Sequence, residues 1–479
     1  MLFRFSFWVG RVRLSPLVAL VWGIALFFIL VAFISPVSAS EILSQFRLPT
    51  PSKAGEPPKL LPKQLPYQYG YGSGIEIRYR KDPDLNARIW DHSSVIQPEI
   101  TGYIIYRPTD WLDTSLFLIA GKEIPLAKER VILLPDESLL TPDLHKTSLR
   151  ADEAYLTIKK VFAPFELKVG RQSFSDDLNL LYDTSLDMIT LSLNRKIRAD
   201  ISAGREILFH LDTLKERPDR IDTYLLYMEY RGIENIKLAG YSVLRRDKSR
   251  IEGRPWLTGL RSTGAPTFNF KYWADVAHLG GKDEGFVGYK AYAFDLGSVY
   301  RAEGLLGNPH VITGFAYATG DNPKDKKNNE FRQTGLQSND VTFVGSIPLQ
   351  RYGAALESEL SNLRVITAGL GFRIGPDAVV NLIYHRYRVN QVAEDVNGAR
   401  LTALMNQDIS RRATRDMGGA LDMGIGMSNL FGVRKLGLEI KGGVFYPGPG
   451  YRNLVITDEG DERFVLPDRG IAVSTKLEW

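Results

Sequence analysis

Cysteine is absent from all 479 residues. That excludes a disulfide framework, a thiolate metal site, a cysteine nucleophile and a lipid-modified N-terminal cysteine. Histidine is scarce as well. The six (His92, His145, His210, His278, His310 and His385) are scattered, with no HxxxH pair to hold zinc and no arguable Ser-His-Asp arrangement. No metal and no cofactor are therefore expected. A surplus of one charge is missing too: residues 1–39 hold three Arg and no acid, so the net charge of +5 falls to +2 beyond them. A nearly neutral chain lacks the basic stripe of a nucleic-acid binder. Beyond residue 39 no apolar run is long enough to cross a bilayer as a helix, so a membrane form would have to be built of strands.

The chain does have a secretory-looking start. Arg4, Arg11 and Arg13 precede an apolar run from Leu14 to Ile34, and "PVSAS" follows, where Val37 and Ala39 suit cleavage after Ala39. The run is long for a signal peptide, which makes a retained inner-membrane anchor the competing reading. Residues 40–70 are rich in Pro and Lys without periodicity and read as an extended periplasmic linker. From Tyr71 the chain becomes a series of alternating segments. "GIEIRYR" separates Ile75, Ile77 and Tyr79 from Glu76, Arg78 and Arg80, and "DEAYLTIKK" separates Leu156 and Ile158 from Glu153, Thr157 and Lys159. The final "GIAVSTKLEW" sets Ile471, Val473, Thr475, Leu477 and Trp479 against Ala472, Ser474, Lys476 and Glu478. A terminal strand closed by an aromatic residue suits the address read by the barrel-assembly machinery, an expected partner. A soluble edge strand is the plainer alternative.

The links between segments decide between a sandwich and a barrel. Short ones at 163–164, 194–196, 232–234, 375–377 and 429–435 alternate with long polar ones such as 122–150, 207–221, 320–362 and 389–415. Short periplasmic turns taken in turn with long outer loops are the rhythm of an outer-membrane barrel. The expected fold is an all-β transmembrane antiparallel barrel over residues 71–479, with about 18 strands, or about 16 because 255–275 reads weakly. The expected location is the outer membrane of a Gram-negative bacterium, in contact with its lipid. The loop 320–362 is too apolar to wave in solvent: Phe331, Leu336, Phe343, Ile347, Leu349 and Tyr352 predict that it folds back to line or cover the pore.

"EFRQTGLQSN" (330–339) and "RYGAALESELSNL" (351–363) resemble the alginate-export outer-membrane porins, as do "FELKVGRQSF", "LYDTSLD", "LIYHRY", "DMGGALDMG" and "KGGVFYPG", in consistent order. The resemblance implies passive export of a uronate polymer through a narrow electropositive constriction, as the last step of exopolysaccharide secretion in biofilm formation. It also makes an acidic polysaccharide and a periplasmic export scaffold candidate partners. It carries Arg78, Arg171, Asp183 and Lys441 into the expected substrate-binding set. It departs at Ser173, Asp340 and Glu439, where the family has basic residues, and at Ser185 and Ala420.

Strand parity turns Arg78, Lys159, Arg198, Arg373 and Lys441 inward, with Asp183, Asp422 and Glu439 as tempering acids and His385 facing the lumen beside Tyr387. A guanidinium fork matches a sugar carboxylate, though any one of these cations is equally suited to a lumen salt bridge that rigidifies the wall. A general or nutrient-uptake porin is the alternative function. An enzyme is not expected: "SDDLNLLYDTSLD" offers Asp176, Asp177, Asp183 and Asp187, but acidic outer loops are ordinarily solvated or bind cations.

Overall fold

In the computed structural model, eighteen antiparallel strands form one sheet in which each strand pairs with the next in sequence. The structure describes residues 67–81, 92–126, 146–162, 164–205, 221–247, 253–282, 287–322, 325–345, 347–375, 377–391, 414–451, 453–456, 462–465 and 469–479. The expected leader 1–39 and most of the linker lie outside them. The sheet closes because the last strand, Gly470–Glu478, pairs with both the strand Gly437–Pro447 and the first strand, Tyr67–Lys81. The first strand begins at Tyr67, inside the segment 40–70 expected as linker, because Tyr67 and Tyr69 already alternate with Gln68 and Gly70 in register with the second strand.

The count is eighteen, and the weak stretch resolves into a hairpin, Arg254–Thr267 with Phe270–Lys282. Its alternation is faint because, apart from Arg261 and Asp275, the inner face carries apolar residues as the outer one does. Leu260 and Val276 point out, whereas Leu257, Trp273, Ala277 and Leu279 are buried inside. Ends with tight links lie together; at one of them Asn235 takes φ of 58°, a left-handed turn conformation that Asn tolerates. The outward faces carry exposed Ile100, Ile201, Leu226, Leu296 and Leu370, bordered near the tight turns by Tyr67, Tyr106, Trp111 and Tyr300 and near the long loops by Tyr224, Tyr292 and Tyr446. An apolar band between two aromatic girdles is the lipid-facing surface of a membrane barrel. The strands span 9 to 18 residues, enough to cross a bilayer when tilted.

The long segment after the strand His310–Ala318 does not leave the barrel. Phe331, Leu336, Phe343, Ile347, Leu349 and Tyr352 are all buried in one apolar cluster with inward-facing Leu225, Trp273, Ile312, Val365, Ile383 and Phe445, as the sequence predicts for 320–362. A second inward loop adds Leu178, Leu180, Leu181 and Tyr182. The cluster takes no residue from the strands between Tyr67 and Phe162. The inserted loop therefore packs against the rest of the wall, reaching Phe445 of the penultimate strand, while the inward faces of the first four strands stay outside the apolar cluster.

Candidate functional site

The passage wall follows from register. Residues paired directly across strands share a face, and Lys441 pairs with Ser474, which pairs with Arg78. Both cations thus point inward in one cross-strand row, about 10 Å apart across two strand spacings. The row toward the turns reads Glu439, Lys476, Glu76 and Gln97. Arg78 donates from Nη2 to Glu123 Oε1 at 2.7 Å, and Arg80 reaches Glu357 of the inserted loop at 3.1 Å. Lys441 makes no hydrogen bond or ion pair within contact distance among the described residues; it acts electrostatically on Asp340 of the inserted loop and on Glu439. A charged belt on the wall thus stands near acids of the inserted loop, Glu357 beside Arg80 and Asp340 acting on Lys441.

The other expected residues divide by what covers them. Lys159 is inward but held by Asp113 at 2.5 Å, and Arg198 is held by Asp200 at 2.8 Å over the ring of Tyr227. Arg373 faces inward near the tight-turn end, apart from the belt, with its Nε buried and unpartnered. Asp183 does not stand free as a counter-charge; it accepts a hydrogen bond from Ser338 Oγ at 2.6 Å and so anchors the inserted loop. Two expectations need correction. Arg171 is not in the belt. It is paired in register with Asp187 and bonded to it at 3.2 Å, two residues on from Val169, which faces lipid. His385 and Asp422 do face the lumen, but neither lines the open pore. Both are fully covered by the loop, whose Ala354 N–H donates to Asp422 at 2.8 Å, while Thr367 bonds His385 at 3.0 Å. Motif position brings Arg171 into the set, but its strand turns it toward Asp187; for His385 and Asp422 parity gives the face of the strand, and the inserted loop decides whether that face meets water.

The four acids weighed as catalytic carboxylates are each engaged structurally. Asp176 accepts the N–H groups of Leu178, Leu181 and Tyr182 and pairs with Arg261; Asp177 pairs with Lys237, Asp183 with Ser338 and Asp187 with Arg171. Among the described residues no group of three His, Asp or Glu is placed to hold a metal ion.

The sequence marks Asp340 as an acid where the family has a basic residue, but does not reveal that it acts on Lys441. Burial pushes the Asp340 carboxyl up to about 6; Lys441 acts against the rise, and Asp183 and Glu357 add to it. Acidifying from about pH 7.5 to about 5 should therefore protonate the acid facing Lys441 and leave the belt more positive. The anion-to-cation permeability ratio, read from reversal potentials in a salt gradient, should rise through that window. Asp340→Asn should hold the ratio near its low-pH value at both ends. A pH response unchanged in Asp340→Asn would remove Asp340 from the passage.

The sequence profile of the alginate export family matches residues 65–465. The chain is similar to the alginate production protein AlgE of Pseudomonas syringae pv. tomato, 23% identical over 374 residues that make up 64% of this chain and 72% of the relative. It is likewise 23% identical to AlgE of Pseudomonas aeruginosa over 367 residues, 63% of this chain and 71% of the relative. Among solved structures it is similar in fold to OccK7 (OpdD) of Pseudomonas aeruginosa, with a TM-score of 0.53 at 14% identity, covering 86% of this chain and 98% of that one. The chain belongs to the alginate export family and is an outer-membrane β-barrel.

Proposed function

We propose that the barrel exports an acidic polysaccharide, alginate-like in its carboxylate spacing, by passive movement through the passage between the charged belt and the inserted loop. The observation that carries this reading is the inward row of Lys441, Ser474 and Arg78 in a lumen narrowed along one whole side, with Lys441 free of any contact partner among the described residues. A polymer with one carboxylate per sugar can be handed between such cations if each holds it weakly. The acids Glu123, Glu439 and Asp340 temper the cations, so selectivity is weaker than a bare arginine ladder would give. The four aspartates weighed for glycosidic cleavage are each committed to loop or wall partners, and membership of the alginate export family supports a channel over an enzyme.

In planar bilayers the protein should prefer anions, and polyuronate fragments should block its current. Arg78→Glu with Lys441→Glu should abolish or reverse both effects. The preference should shrink in concentrated salt, as the Debye length falls from about 10 Å at 0.1 M to about 3 Å at 1 M. A cation-selective wild type, or a charge reversal that leaves selectivity and block unchanged, would instead favour a general diffusion porin. Such a porin would also pass small neutral sugars readily in liposome swelling.

A further inference from the structure

The outer wall carries a charge arrangement that the passage does not explain. On the strands Leu363–Ile374 and Ala378–Val389, the lipid-facing files run Phe372, Leu370, Ile366 and then Arg364, and Leu382, Tyr384 and then Arg386 and Arg388. The arginines stand at the long-loop ends, just beyond the apolar band. Arg364 and Arg388 are directly paired across the two strands, and Arg386 is paired with Ile366 one step below. Like charges placed directly opposite are destabilising, with Cβ atoms only about 5 Å apart. One acid answers three bases: Asp416, the register partner of Arg388 on the next strand, is bonded by Arg386 at 2.5 Å. Arg364 lies over the Tyr317 ring at 5.3 Å and donates its Nε to Asn390, while Arg388 has no hydrogen bond or ion pair among the described residues.

We propose that Arg364, Arg386 and Arg388 form a binding site for a phosphate on the sugar headgroup of an outer-leaflet glycolipid. A phosphate between Arg364 and Arg388 would turn their repulsion into two charge-assisted, fork-shaped contacts. The depth matches: the acyl chains would lie along Ile366, Leu370 and Leu382, and the headgroup would sit at the arginines. Fixed on the face behind the inserted loop, the lipid would brace the strands that the loop packs against. The site does not depend on what the barrel transports.

Native mass spectrometry of the purified barrel titrated with lipid A, dephosphorylated lipid A and phosphatidylglycerol tests the assignment. Wild type should favour phosphorylated lipid A. Arg364→Gln with Arg388→Gln should weaken that binding by about a hundredfold, roughly tenfold for each charged hydrogen-bonding group lost. Equal binding of phosphatidylglycerol, or a double variant that retains lipid A, would overturn the site. A second readout turns on sign. In lipid-free detergent Arg388→Gln should leave the denaturation midpoint unchanged or raise it, since a repulsion is removed. In bilayers containing lipid A it should lower the midpoint. A fall of equal size in both media would mark Arg388 as merely structural and overturn the proposal.

Discussion

Single-channel conductance should rise several-fold when Ile347 and Leu349 are both replaced by aspartate. These two side chains are 0% and 1% exposed and hold the inserted loop against the wall. Burying each contributes about 1.5–3 kcal/mol, and a carboxylate in the same place costs more, because its charge would lose water without gaining a partner. Expelled into the aqueous phase, the loop would leave the open channel that about 18 strands enclose. The wall offers an independent route to the same state. A Cβ at Gly424 would lie 2.7 Å from Leu349 Cδ2 and 3.2 Å from Ile347 Cδ1, so Gly424→Leu should displace the same residues without altering the loop. Both variants should remain heat-modifiable barrels on gels, because the strand ladder is untouched, and both should lose polyuronate block along with the constriction. Folded variants that keep wild-type conductance would show that the loop does not limit the passage.

The sequence is legible where one physical demand acts on consecutive residues. Lipid on one side and water on the other impose period two, which is why the first strand, the strand Lys146–Phe162 and the last two strands are readable residue by residue. The inserted loop is readable because six large apolar residues have no place in an outer loop. The hairpin 254–282 is faint because that loop packs on Leu257, Trp273, Ala277 and Leu279 of its inner face, so little contrast between faces is left outside Arg261 and Asp275. The glycines of "AGLGFRIG" follow the same logic: a Cβ at Gly371 would collide with His310 Nε2 and Asn381 Oδ1, the crowded lumen that alternation implies. Charge partners are hidden because they come from distant segments. Nothing near Arg78 in sequence announces Glu123, and nothing near Arg80 announces Glu357. The site is therefore legible as a set of inward cations but not as a set of compensated ones.

The least legible of these partnerships predicts the largest loss of stability. Arg261 is 4% exposed and bonds Asp275 Oδ2 through Nε at 2.6 Å, while its Nη1 meets Asp176. Asp275 also accepts the Tyr241 hydroxyl at 2.6 Å, and Asp176 accepts three backbone N–H groups of the inward loop 176–182. One guanidinium thus ties the wall to the loop that packs against the long insertion. Arg261→Met keeps the volume but leaves two buried carboxylates without a cation, and breaking a buried pair in this way costs about 3–5 kcal/mol. The denaturation midpoint in detergent should drop accordingly, and the loop 176–182 should become cleavable by added protease. Arg261→Lys should recover little, since a single ammonium cannot fork between two acids. Neutralising the acids as well should restore much of the loss. In Arg261→Met with Asp176→Asn and Asp275→Asn no charge is buried, and the side-chain amide introduced by Asp176→Asn would still offer a carbonyl to the loop N–H groups. If Arg261→Met left the midpoint and protease resistance at wild-type values, the triad would not be what fastens the loop. If the triple variant were no better than the single one, charge compensation would be the wrong account of its strength.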